Sequence, residues 1–188
     1  MLDIGDIPTG LLALDLLVKE AEVEVLSAGT VQAGRYLILF GGPVEPTQYA
    51  YARASEVAGS MLTDAVLLPW VEERIVPALM DSVIHPTAGG DTLGVLQLGS
   101  SPTMLRAVDA ALKGALVQLL QLRVAEGLGG RSLATVFGET TDVEAAIEVA
   151  ESAIGPRSDW STSVIRNIDP TVAARLSQGT HFFSAWRG

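Results

Sequence analysis

The feature that most constrains this chain is that it contains a version of itself. Asp15 in Ala13-Leu14-Asp15-Leu16-Leu17-Val18-Lys19 and Asp109 in Ala107-Val108-Asp109-Ala110-Ala111-Leu112-Lys113 lie 94 positions apart, as do the two lysines (109 − 15 and 113 − 19). At this spacing residues 1–26 face residues 95–120, and Gly5/Gly99, Pro8/Pro102, Thr9/Thr103 and Val23/Val117 are identical. Further on the spacing becomes 96 (130 − 34), aligning Gly34/Gly130, Arg35/Arg131, Leu37/Leu133, Gly42/Gly138, Ala50/Ala146, Ala54/Ala150 and Gly59/Gly155. The second copy therefore carries two extra residues (96 − 94) between Leu120 and Gly130. A period this long does not suit a solenoid unit; it suits a duplicated small domain. The expected division is a first domain over residues 1–81, a linker over 82–91 with Ser82, Pro86, Thr87, Gly89 and Gly90, and a second domain over 92–188 that ends in a tail.

Each copy reads as the same series of elements. In the second, Thr92–Leu98 is an apolar strand, and Ser101-Pro102 starts a helix that runs to about Lys113, with Ser as cap and Pro at the first position. Val117–Val124 and Arg131–Val136 are strands joined by the glycine-rich stretch Ala125–Gly130. Thr141-Asp142-Val143-Glu144 reads as a capping box opening a helix to about Ser152. Thr162–Arg166 is a last strand, and a short helix follows Pro170. The first copy gives Leu2–Ile4, Pro8–Glu20, Val23–Ser27, Tyr36–Phe40, Thr47–Met61 and Ala65–Leu68 in the same order. The expected fold class is α+β: two tandem ferredoxin-like βαββαβ domains, each an antiparallel sheet with helices on one face.

Composition narrows what such domains do. Hydrophobic residues form 48% of the 188, and 12 Lys+Arg against 22 Asp+Glu leave a formal net charge of −10. That apolar content excludes a disordered chain, and the acidic balance argues against a nucleic-acid partner. Gly10–Val18 and Ala65–Val71 are the longest apolar stretches and fall well short of the roughly 20 residues that span a bilayer. Met1-Leu2-Asp3-Ile4 has no basic segment of the kind that opens a signal peptide, so a cytosolic setting with no membrane partner is expected. The absence of cysteine excludes a disulfide framework, a thiolate metal site and a cysteine nucleophile.

Few side chains offer chemistry. His85 lies in the expected linker and His181 near the end of the chain, and neither stands beside a nucleophile or a second ligand. Glu20, Glu22 and Glu24, and Glu139, Glu144, Glu148 and Glu151, read as solvated faces without metal-binding spacing. No catalytic residue, metal ligand or cofactor is expected. The loop Gly127-Leu128-Gly129-Gly130 joins two strands and lacks the Lys-Ser/Thr of a phosphate cradle, so it reads as a hairpin turn. The matching turn Gln32-Ala33-Gly34 also uses small residues, which suggests close approach to something at both turns, such as a symmetry axis.

These residues resemble a known family. Val108–Ala115 around Lys113, the run Gly127–Arg131, and Val136–Ala146 follow the wording of bacterial microcompartment shell proteins, and Asp15–Val23 with Ala33–Gly42 is a diverged second instance. Two copies in one chain resemble the tandem-domain, trimer-forming class. The resemblance implies a homotrimer with pseudo-sixfold symmetry, packed edge to edge with other shell proteins in a microcompartment in the cytoplasm, and a central pore passing small metabolites. It implies that Gln32, Ala33, Gly34, Leu128, Gly129 and Gly130 line that pore, and that Lys19 and Lys113 make the tile edge. Where the family often has Pro-Arg-Pro-His, this chain has Leu68-Pro69-Trp70-Val71 and Ile165-Arg166-Asn167-Ile168, leaving Arg166 as the edge cation there. One subclass places a cysteine with an iron–sulfur cluster on the first loop; Gln32 stands at that position here, and no thiolate exists to hold a cluster. The competing expectation is a small-molecule-binding regulatory protein, since tandem ferredoxin-like domains also build such modules. An enzyme is disfavoured because no nucleophile, base and orienting group come together.

Overall fold

The computed structural model describes residues 1–81, 89–125, 127–177 and 180. His85, His181 and most of the expected linker lie outside them. In chain order the elements are β1 (Leu2–Ile4), α1 (Ile7–Glu20), β2 (Glu24–Val31), β3 (Arg35–Gly41), α2 (Val44–Ala58), β4 (Leu62–Ala65), α3 (Ile75–Asp81), β5 (Thr92–Leu98), α4 (Ser101–Gly114), β6 (Gln118–Val124), β7 (Ser132–Gly138), α5 (Thr140–Ile154), β8 (Ser161–Ile165) and α6 (Pro170–Leu176). Two four-stranded sheets result, ordered β2-β3-β1-β4 and β6-β7-β5-β8, antiparallel at every pairing. This is the split βαβ order: the strand entering each first helix and the strand leaving it are separated by the third strand.

The described residues form two compact units. Unit 1 comprises Met1–Trp70 together with Ser100–Thr103 and Ala125–Arg131; unit 2 comprises the described parts of Val71–Gly99, Met104–Val124 and the chain from Ser132 onward. The unit boundary therefore differs from the repeat boundary, and two short segments of the second repeat belong to unit 1.

Register carries the repeat into three dimensions. Leu2 pairs with Ile38 and Ile4 with Tyr36 in the first sheet, while Leu96 pairs with Ala134 and Leu98 with Ser132 in the second. Both hairpins slip register at the same place, at Leu26 and at Leu120, so one β-bulge is present in two copies. The first-repeat core follows period-2 alternation. Leu2, Ile4, Tyr36, Ile38 and Phe40 turn to one face, where Ala13 and Leu17 of α1 and Ala50, Ala54 and Ala58 of α2 meet them. The alanines let the two helices approach the sheet closely.

Several boundaries depart from the sequence reading. The fourth strand of the first repeat is Leu62–Ala65 and not Ala65–Leu68, because Leu2 pairs with Ala65 and Asp3 with Asp64. The cap of α4 is Ser100, whose hydroxyl accepts the Thr103 N–H at 3.2 Å, so Ser101 is the first helical residue. Asp6 is its repeat equivalent and accepts the Thr9 N–H at 2.9 Å. The capping box at Thr141 does not form: α5 begins at Thr140 behind Glu139, which makes no side-chain cap bond, and the Thr140 hydroxyl lies 2.7 Å from that of Thr92.

One packing exchange shows how closely the repeats are fitted. Gly10 sits directly over Tyr36: a Cβ there would lie 2.3 Å from the Tyr36 Cβ. The equivalent positions hold Met104 and Ser132, both fully buried, so the large residue has moved from strand to helix. Ala normally gains about 1 kcal/mol over Gly inside a helix. Here the steric clash reverses the sign, and Gly10→Ala is expected to destabilise by roughly 1–3 kcal/mol. Gly10→Met combined with Tyr36→Ser is expected to recover most of the loss suffered by Gly10→Met alone, as read by denaturant unfolding.

Candidate functional site: two loops and a buried charge network

The residues expected on a pore fall on two loops of unit 1. Gln32–Gly34 forms a single 3-10 turn between β2 and β3, with Ala33 at φ 66° and Gly34 at φ 72°. The left-handed region favours glycine and is costly for alanine, so Ala33 is held there by its surroundings. Gln32, Ala33 and Gly34 are exposed. The Ala125–Gly130 loop meets this turn directly. Gln32 Oε1 accepts the Gly129 N–H at 2.7 Å and the Gly130 N–H at 3.4 Å. Gly129 is exposed, Leu128 half-buried and Gly130 buried. The Gln32 amide thus spends its carbonyl on the partner loop.

Beneath the loops lies a network that no sequence motif singles out. Arg35 Nη2 donates to the Gly130 carbonyl at 2.8 Å, and its Nη1 donates to Asp3 Oδ2 at 2.6 Å. Asp3 lies in β1 directly opposite Asp64 of β4 and opposite Leu37 of β3. Asp3, Asp64 and Arg35 therefore share the sheet face turned away from the apolar core. Asp64 in turn accepts from the Ser100 and Thr103 hydroxyls, from the Thr103 N–H at 3.2 Å and from the Ala65 N–H at 2.8 Å. A polar row thus runs from Gly130 through Arg35, Asp3 and Asp64 to the capped first turn of α4, all within unit 1.

The two carboxylates respond to this row in opposite ways. Burial pushes Asp3 up to about 6, against the pull of the Arg35 guanidinium and with a further push from the charge on Asp64. Burial also raises Asp64, but the hydroxyl and N–H donors around it outweigh burial and hold it below the usual carboxylate range. Asp3 Oδ1 and Arg35 Nε are buried without a protein partner, which is why the ion pair does not fully offset the desolvation of Asp3.

Each expected edge residue pairs with a carboxylate of its own unit. Lys19 pairs with Asp15 at 2.6 Å and Lys113 with Asp109 at 2.7 Å, each one turn back on its own helix. Arg166 pairs with Glu144. In unit 2, Asp109 also accepts the Glu72 N–H at 2.8 Å, while Arg74 donates to the Val117 and Leu112 carbonyls at 2.7 and 3.2 Å. Among the described residues no group of three or more His, Cys, Asp or Glu could hold a metal ion, and no helix is long and apolar enough to cross a membrane.

The BMC domain matches this chain twice, over residues 1–70 and 92–168. The chain belongs to the BMC-domain family. It is 31% identical over 157 residues to the bacterial microcompartment shell protein PduT of Citrobacter freundii, covering 84% of each chain. A microcompartment protein of Desulfitobacterium hafniense is similar at 25% identity and a TM-score of 0.79, over 92% of this chain and 96% of that one. The fused permuted hexameric shell protein MSM0275 shares the fold, with 20% identity and a TM-score of 0.56 over 81% of this chain and 80% of that one. This is therefore a microcompartment shell protein with tandem BMC domains, and the shell is its location.

The raised Asp3 carboxyl makes folding stability depend on pH. The folded chain holds this proton more tightly than the unfolded chain, so Asp3 contributes stability below pH 4 that is lost as pH rises toward 6. Asp64 acts oppositely, and its contribution is lost only as pH falls below the ordinary carboxylate range. The stability of the native protein relative to Asp3→Asn is therefore expected to be greatest near pH 4 and to shrink toward pH 7. Melting temperatures of the two proteins across that range provide the measurement.

Proposed function

We propose that three copies of this chain form a pseudohexameric tile whose centre is a pore for small metabolites, and that such tiles join other shell proteins edge to edge. The observation that carries this reading is the contact between equivalent turns of the two repeats, Gln32 to Gly129 and Gly130. Small, exposed residues at the same turn in two like domains are what a pore on a symmetry axis requires. In this reading Gln32, Ala33, Gly34, Leu128 and Gly129 face the aperture, while Gly130 supports it from below through Arg35. Lys19 and Lys113 present ammonium groups at the edge, oriented by Asp15 and Asp109, with Arg166 as a third edge cation. The chain acts as a barrier and conduit and performs no catalysis.

Light scattering is expected to give the mass of a trimer, and electron microscopy to show sheets or tubes. A monodisperse monomer at high concentration would refute the tile. Lys19→Asp with Lys113→Asp is expected to abolish sheets while leaving trimers intact, because both lysines lie on exposed helix ends. Gln32→Ala removes the acceptor for the Gly129 N–H as well as a polar group from the aperture. A crystal structure of that variant is expected to show the 127–130 loop displaced and the aperture wider; an unchanged loop and radius would count against Gln32 as a pore-lining residue.

A further inference from the structure

The two repeats carry the same apolar positions, yet they differ in what covers them. Leu105, Leu112 and Leu119 of the second repeat are buried at 3%, 5% and 1% exposure, whereas their equivalents Leu11, Val18 and Val25 stand at 52%, 46% and 36%. In unit 2, α3 packs on β6, the strand of Leu119, and Arg74 donates to the Leu112 carbonyl. The opposite holds at the fourth strands. Asp64 in β4 is engaged by Ser100 and Thr103, while Ser161, Thr162 and Ser163 of β8 are all exposed. The chain thus carries one open head, on α1 and β2, and one open tail, on β8.

We infer that a second copy of this chain closes the open head with its own tail, through the contacts already made inside unit 1 but with acid and hydroxyl exchanged. The repeat register supplies the correspondence. Asp64 lies opposite Asp3, and Ser161 lies opposite Gln97, the equivalent of Asp3. Ser100 caps α4 and Asp6 caps α1. Inside unit 1 the strand supplies the carboxylate (Asp64) and the cap supplies the hydroxyl (Ser100). At the open ends the strand supplies the hydroxyl (Ser161) and the cap supplies the carboxylate (Asp6). The donor–acceptor match survives with its sense reversed, which unrelated surface drift would not preserve. The same correspondence sets the exposed Arg131 of one copy on the exposed Gly34 carbonyl of the next, as Arg35 is set on Gly130. Leu11 and Val18 lie on the helix that Asp6 caps. A head-to-tail contact of this kind is heterologous and closes only as a ring.

This inference rests on the ring proposed above, and the test separates the two. Ser161→Asp would bring two carboxylates together across the joint and is expected to lower the association constant at least about tenfold, since like charges placed opposite each other at an interface are strongly unfavourable. Asp6→Ser in the same chain restores a carboxylate–hydroxyl pair in the sense used by Asp64 and Ser100, and keeps a residue that caps helices as well as Asp does. The double variant is expected to regain most of the lost association. Mass photometry across a dilution series reads the oligomer, and thermal melts verify that each variant folds. A trimeric native protein that Ser161→Asp leaves unchanged, or a double variant no better than the single one, would overturn the joint and leave the ring standing. A native protein that is monomeric throughout would overturn both.

Discussion

The Arg35 guanidinium is the point on which unit 1 turns. It reaches a carboxylate in β1 on one side and a loop carbonyl on the other. Arginine suits this role because its planar fork donates in two directions and keeps its charge when half-buried. Asp3 is fully buried, so the pair is not a surface ornament. Removing Asp3 would leave the guanidinium without its counter-charge, and removing Arg35 would push the buried Asp3 carboxyl still further up, toward the neutral acid. Such a pair adds little net stability over an apolar one, but it fixes geometry: the Ala125–Gly130 loop must present its last carbonyl to Arg35. The loop position above the sheet follows from that bond and from the Gln32 amide that holds the neighbouring N–H groups.

Much of this architecture was legible in the chain. The repeat spacing gave the element order, and the change in spacing located an insertion that falls on the Ala125–Gly130 loop. Apolar alternation found β1 and β5 to the residue. It shortened β2, because the bulge at Leu26 breaks the period at Ser27 while pairing continues to Val31. It misplaced β4 because Leu62-Thr63-Asp64-Ala65 alternates weakly and Val66-Leu67-Leu68 is the more apolar run. Asp64 is polar for a reason invisible locally: its partners Ser100 and Thr103 come from a distant part of the chain.

The charge network was missed for the same reason. An aspartate between Leu2 and Ile4 was a usable signal, since a carboxylate inside an apolar strand must find a cation or donors. Nothing in the local pattern named Arg35 as that cation. The caps were half-legible: Asp6 and Ser100 share a repeat position and both are good cap residues, yet Pro102 directly after Ser101 makes Ser101 the better cap by local pattern. The Gln32 contact depends on a loop whose length differs between the repeats, so no alignment of one copy on the other could have revealed it.

Divergence between the repeats carries information that identity does not. Gly10 with Tyr36 and Met104 with Ser132 are two solutions of one packing problem, related by moving bulk from strand to helix. Asp64 with Ser100 and Ser161 with Asp6 are two solutions of one hydrogen-bonding problem, related by exchanging acid and hydroxyl. In the first case both solutions lie inside a single sheet–helix layer, and packing density forces the compensation. In the second, one solution is made within the chain and the other requires a second chain. A duplicated domain can therefore let its two joints drift apart in chemistry, provided each joint stays internally matched. The benefit of drift is specificity: an acid–hydroxyl pair of reversed sense at each joint disfavours a tail docking on the wrong cap, where Ser161 would meet Ser100 or Asp64 would meet Asp6, two facing carboxylates. The exchange thereby fixes the alternation of first and second repeats around the proposed ring.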